Sequence, residues 1–177
     1  AMAVRLKEKM DTKLILKREE ELKELTIKDF SKIKGLHTLA ENITDRLGVF
    51  SFYVDKIHHN LMTKLLNDRF GIQVRGGCSC AGTYGHFLLH VDYSLSREIT
   101  DLIDAGDLSL KPGWVRLSLH PTMTNDELSY ITAAIRETSV KADEWGKDYS
   151  YDKLTNEFHQ VGQHGKKTDE FGSWFII

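Results

Sequence analysis

The stretch Leu47-Gly48-Val49-Phe50-Ser51-Phe52-Tyr53-Val54 is rich in β-branched and aromatic residues, and this composition predicts a β-strand. Behind it, apolar residues recur at helical spacing over residues 57–69, and Gly71 follows where such a helix would end. The alternation of Ile72-Gln73-Val74-Arg75 then predicts a second, short strand. Residues 47–75 therefore form a strand–helix–strand unit, whose helix has the length of a crossover over a sheet.

A second strand and helix follow further along the chain. The segment Trp114-Val115-Arg116-Leu117-Ser118-Leu119-His120 alternates between two faces, which predicts a strand with its three aliphatic residues on one side. Thr124-Asn125-Asp126-Glu127 is a capping box, which marks the start of a helix. One face of that helix is apolar, and with the first unit this pattern predicts an α+β domain over residues 35–145.

The two ends of the chain differ from this centre. Residues 1–34 are rich in Lys, Glu and Leu and predict an N-terminal helical segment, either one helix or two with a second start near Thr26 and Asp29. Residues 146–177 form a C-terminal aromatic tail without a clear period, which we expect to pack on the domain or on a partner. The inward-facing stripe of the N-terminal segment is expected to comprise Leu14, Leu22, Leu25, Phe30 and Ile33.

Composition bounds the class of protein. The chain has 177 residues, 41% of them hydrophobic and 28% charged, which is typical of one soluble globular domain. A net charge of −2 leaves no positive excess for a phosphate backbone, so a nucleic-acid partner is not expected. No apolar run is long enough to span a bilayer, and no apolar segment follows the charged N-terminus, so we expect no membrane partner and a cytoplasmic location.

The loop over residues 76–85 holds four of the thirteen glycines and both cysteines of the chain. Cys78 and Cys80 are separated by one residue, which is too little for an ordinary structural disulfide. The neighbouring glycines and Arg75 favour exposed, reactive thiols, although a cysteine can also serve as a small buried hydrophobe.

Histidines offer a further alternative for the two cysteines. His86 and His90 are four residues apart and, on one helix face, would complete a zinc ligand set with both thiols. This leaves open a free-standing sulfur- or metal-binding module that uses Cys78 and Cys80. The adjacent pair His58-His59 instead predicts a helix start.

Arg116 stands out because it lies in the middle of an otherwise apolar strand. It is either an edge-strand arginine that faces water or a preorganised fork for a carboxylate, which guanidinium groups bind through two parallel hydrogen bonds.

Taken in order, three of these motifs resemble the C-terminal small domain of the class V aminotransferase family. They are the loop from Arg75 to Ala81, the strand from Val115 to Pro121 and the capping box. This family of pyridoxal-phosphate enzymes contains the cysteine desulfurases and selenocysteine lyases. The resemblance covers roughly residues 15–140. It implies a small mixed sheet with helices packed mainly on one side, as in the C-terminal domain of fold-type I pyridoxal-phosphate enzymes, and usually a homodimeric parent.

The resemblance also implies roles for individual residues. Cys80 falls at the position of the desulfurase nucleophile, whose thiolate takes the substrate sulfur as a persulfide. Arg116 falls at the arginine that grips the α-carboxylate of an amino-acid substrate, and Arg75 at the arginine that opens the loop. Cys78-Ser79 stand where many desulfurases carry two histidines, so a transaminase or another lyase stays open beside the desulfurase.

The family's cofactor lysine and its phosphate-binding and ring-stacking residues belong to a large N-terminal domain, and no motif here matches them. We therefore expect a domain of a longer enzyme that neither holds pyridoxal phosphate covalently nor turns over substrate by itself.

Overall fold

The structure, a computed structural model, describes residues 2–78 and 82–162. Its helices are α1 (Met2–Lys9), α2 (Thr12–Phe30), α3 (His59–Phe70), α4 (Gly82–Leu88), α5 (Tyr93–Asp104) and α6 (Asn125–Trp145). Its strands are β1 (Leu36–Thr38), β2 (Val49–Val54), β3 (Arg75–Gly77), β4 (Trp114–Ser118), β5 (Tyr149–Asp152) and β6 (Glu157–Gln160).

Four strands form the main sheet, in the order β1-β2-β4-β3, and β5 and β6 form a separate hairpin. Because β2 and β3 each pair antiparallel with β4, they run parallel to each other, as a crossover through α3 requires. The α+β prediction is confirmed. The sheet is antiparallel throughout rather than mixed, because β4 lies between the two parallel strands and no described strand has a parallel neighbour.

One face of the sheet carries the core. Phe50 and Phe52 of β2 lie opposite Leu117 and Val115 of β4, and all four side chains are buried. Helices α2, α3 and α6 cover this face, as expected, through the buried side chains of Phe30, Met62, Leu66, Ile131 and Ile135. The alternation of the strands therefore sends every second residue to the opposite, open face.

The N-terminal segment consists of two helices, but the predicted position of the break was wrong. The chain turns at Asp11, whose φ of 64° and side chain cap α2, whereas Thr26 lies buried inside α2 and donates its hydroxyl to the Leu22 carbonyl. Leu22 and Phe30 pack inward as predicted, together with Ile33. Leu14 and Leu25 do not, since they are 62% and 37% exposed.

The capping box is present as predicted: Glu127 N–H donates to Thr124 Oγ1, and Thr124 N–H donates to the Glu127 carboxylate. Gly71 ends α3 in the left-handed conformation, with a φ of 67°. In the part of the chain that the structure describes, no helix combines the length and apolar character that crossing a bilayer requires.

Candidate functional site: an arginine pair on the open face of the sheet

Arg75 and Arg116 lie directly opposite each other on the neighbouring strands β3 and β4. On the other side, Arg116 lies opposite Ser51 of β2. Since Val115 and Leu117 point into the core, Arg116 points to the open face, and its cross-strand partner Arg75 shares that face. Two paired strand positions therefore place two arginines side by side on one face of the sheet.

The pair has no anionic counterpart among the described residues. Neither guanidinium forms a hydrogen bond or ion pair there, and Arg75 is exposed while Arg116 is half-buried. Like charges directly opposite on a sheet destabilise it. An anion bound between them would relieve this repulsion, and a carboxylate matches the fork geometry of guanidinium groups.

Cys78 directly follows β3 and is a free, half-buried thiol. The chain turns just before it at Gly77, whose φ is 105°. Helix α4 packs back on the strand end, because a Cβ added at Gly85 would lie 3.3 Å from the Trp114 ring and 3.6 Å from the Cys78 Cβ. The structure thus brings Cys78 to the end of the strand that carries Arg75, while the predicted nucleophile, Cys80, lies outside the described residues.

A family model, Aminotransferase class-V, matches residues 1–131. The chain belongs to the class V aminotransferase family. A search of curated protein sequences finds no match. Among solved structures, the cysteine desulfurase CsdA (S-sulfonic acid) from Escherichia coli is similar, with 18% sequence identity and a TM-score of 0.44. That match covers 70% of this chain and 24% of CsdA, so the chain spans about a quarter of that protein.

The histidine ligands considered for a metal do not come together in this class V aminotransferase chain. His86 lies in α4 and its Nδ1 is 2.8 Å from Ser96 Oγ, whereas His90 lies beyond the end of α4 with a φ of 53°. They therefore do not share one helix face. Over residues 2–78 and 82–162, no group of three or more His, Cys, Asp or Glu side chains is placed to hold a metal ion.

His58 and His59 do start a helix, as predicted, and His58 Nδ1 accepts the Asn60 N–H of the first turn of α3. Their rings stack with centroids 4.3 Å apart. Burial lowers the pKa of His58, and burial, with smaller contributions from His58 and Lys111, lowers the pKa of His59 to about 4. Both rings are therefore neutral at pH 7.

The His59 ring also fixes the strand end that carries Arg75. Its side chain is 6% exposed and lies against two glycines. A Cβ added at Gly113 would come within 2.6 Å of the His59 Nε2, and one added at Gly76 within 3.5 Å of its Cδ2. The sequence predicts the helix start but not this support, because His59, Gly76 and Gly113 are far apart in the chain.

A cleft of about 820 Å³ lies along the free edge of β3, between α3 and the β5–β6 hairpin. His59, Arg75, Gly76 and Cys78 line it together with residues of the 108–112 loop. No pattern in the sequence predicts this cleft, since its far wall is the β5–β6 hairpin, which lies in the segment predicted only as an aromatic tail.

Proposed function

We propose that this chain is the small domain of a pyridoxal-phosphate-dependent enzyme of the cysteine desulfurase type. Its role is to hold the α-carboxylate of an amino-acid substrate between Arg116 and Arg75. The cross-strand arginine pair carries this proposal, because two arginines side by side on one face, without an anionic partner among the described residues, can bind a carboxylate.

The residues of the open face do not fit the cofactor itself. Pyridoxal phosphate needs a lysine amine for its covalent link and donors around its phosphate. Next to the arginine pair, the strands place Ser51, Tyr53 and His37 on the open face, and no described strand of the main sheet contains a lysine. We propose that the cofactor-binding residues lie in another part of a longer protein, which forms a homodimer.

In this proposal the thiols of the glycine loop act next to the carboxylate site. Cys80 is the proposed nucleophile toward the substrate sulfur, and Cys78 lies two residues before it at the strand end. The arginine pair would hold the substrate by its carboxylate and so fix the direction of its side chain relative to the loop. Location in the cytoplasm is part of the same proposal.

A titration of the ¹⁵N-labelled 177-residue chain with L-alanine tests the carboxylate site. We expect saturable amide shifts at Ser51, Arg75 and Arg116, and Arg116→Met should weaken binding about 10-fold, since a hydrogen bond to a charged group is worth about 1.5–3 kcal/mol. Arg5→Met, on the exposed helix α1, is the matched control and should bind like the parent chain. Equal affinity of the Arg116→Met variant would refute the carboxylate site.

A further inference from the structure

The outer wall of the β3 cleft lies beyond the part of the chain that the family model matches. The match ends at residue 131, whereas the hairpin spans Tyr149–Gln160. The hairpin is held on α3 by Asn60 Nδ2, which donates to the Asn156 carbonyl at 2.5 Å. The centroid of the His58 ring is also 5.3 Å from the ring centroids of Tyr151 and Phe158. The cleft is therefore built by residues from both sides of the family boundary.

Polar groups line this cleft from several directions. Amides and hydroxyls come from α3, from the segment before β3 and from the hairpin turn, namely Asn60, Thr63, Asn67, Gln73 and Thr155. Thr63 already donates its hydroxyl to the His59 carbonyl, and Asn60 and Asn67 each donate one amide proton to a protein acceptor. The remaining amide protons of Asn60 and Asn67 and the Gln73 amide can donate hydrogen bonds to a ligand.

The charges in the cleft favour an anion. Lys111 lines it, is half-buried, and forms no ion pair with any described residue. Lys64 also lines the cleft, and its Nζ is 3.1 Å from Asp68 Oδ2. Among the described lining residues, Glu157 carries a negative charge, and its Oε2 is 3.9 Å from His159 Nε2. Because the pKa of His59 is lowered, its ring adds no charge at pH 7.

The His59 side chain in the cleft lining carries a buried nitrogen that packs against Gly113. It lines the cleft, is only 6% exposed, and its Nε2 has no hydrogen-bond partner. A buried polar atom without a partner costs free energy.

We propose that this cleft binds a small metabolite that carries a phosphate group. Lys111 supplies the charge, with Arg75 at the edge of the cleft, and the second amide proton of Asn60 supplies a hydrogen bond. Ammonium groups act as point charges toward phosphate, and the several phosphate oxygens can accept from donors on different walls. This site lies at the free edge of β3 and shares Arg75 with the carboxylate site on the open face, but Lys111 and Asn60 belong to it alone, so it does not depend on the proposed function.

Amide shifts of the ¹⁵N-labelled chain during a titration with inorganic phosphate, at constant ionic strength, test this site. We expect saturable shifts at Asn60, Thr63 and Lys111, and about 10-fold weaker binding for Lys111→Met, as expected for the loss of one charge-assisted contact. Lys13→Met, an exposed change of the same charge on α2, should leave the affinity unchanged.

Two results would overturn the phosphate site. One is a set of shifts that grows linearly with phosphate or stays confined to Ser51 and Arg116, and the other is an unchanged affinity of Lys111→Met. The Arg116→Met variant separates this proposal from the carboxylate site, since it should still bind phosphate in the cleft. The two titrations can thus give different results, since the chain can bind L-alanine without binding phosphate, or bind phosphate without binding L-alanine.

Discussion

At the scale of single residues, neutral histidines buried at the start of α3 link the stability of the fold to pH. Burial lowers the pKa of both His58 and His59, and that of His59 falls from 6.5 to about 4. In the unfolded chain both rings would titrate near pH 6.5. Between these values the unfolded state binds more protons than the folded state, so the stability present above pH 6.5 is lost as the pH falls toward 4.

We therefore expect the free energy of unfolding to fall by about 2–3 kcal/mol between pH 7 and pH 4 because His59 takes up its proton only in the unfolded state. This is the size that the lowered pKa of His59 implies. Urea unfolding followed by circular dichroism at several pH values measures this. His59→Phe should reduce the slope of the free energy of unfolding against pH. His120→Gln, a change at an exposed histidine, should leave this slope unchanged. An equal slope in parent and His59→Phe would contradict the role of His59.

The sequence predicts Arg116 and Arg75 as individual residues of interest, because an arginine in an apolar strand and one before a glycine loop break the local pattern. It does not predict that the two lie directly opposite, since this register depends on which strands become neighbours. It predicts both cysteines as a motif of the glycine-rich loop.

At the scale of secondary structure, the contact between α3 and the β3–β4 pair depends on glycines, which leave room for the His59 ring. The ring of His59 occupies the space where a Cβ of Gly113 would be, with distances of 2.6 Å to Cε1 and Nε2. The start of α6 at its capping box and the end of α3 at Gly71 can be predicted from sequence, because each depends on residues next to it in the chain. The C-terminal aromatic residues show no regular spacing, so the hairpin that they form cannot be predicted in this way.

Gly113→Ala should therefore lower the free energy of unfolding by about 1–3 kcal/mol, the usual cost of overpacking. The double variant His59→Ala with Gly113→Ala removes the obstructing ring, so the alanine at 113 should cost much less in that background. Chemical denaturation of the four chains gives the coupling free energy. Additive effects of the two changes would show that Gly113 is not required by the His59 ring.

At the scale of the whole molecule, we propose that the described residues supply one side of a site rather than a complete one. The sheet has a covered face, which holds the core, and an open face, which presents the arginine pair. In the proposed function this open face contacts the substrate. Because no described strand of the main sheet contains a lysine, the same proposal leaves the cofactor to other residues.

We accordingly expect the 177-residue chain, mixed with pyridoxal phosphate, to give no saturable absorbance band with one cofactor per chain. Surface lysines can link to the cofactor weakly, so the matched control is an equal concentration of amines supplied as N-acetyl-lysine methyl ester, followed by borohydride reduction and mass analysis. Labelling spread over many lysines, at the level that the control predicts from amine reactivity, agrees with a domain that lacks the cofactor lysine. Stoichiometric labelling of one lysine would mean that this chain holds the cofactor itself. The proposal that the cofactor-binding residues lie in another part of a longer protein would then be wrong.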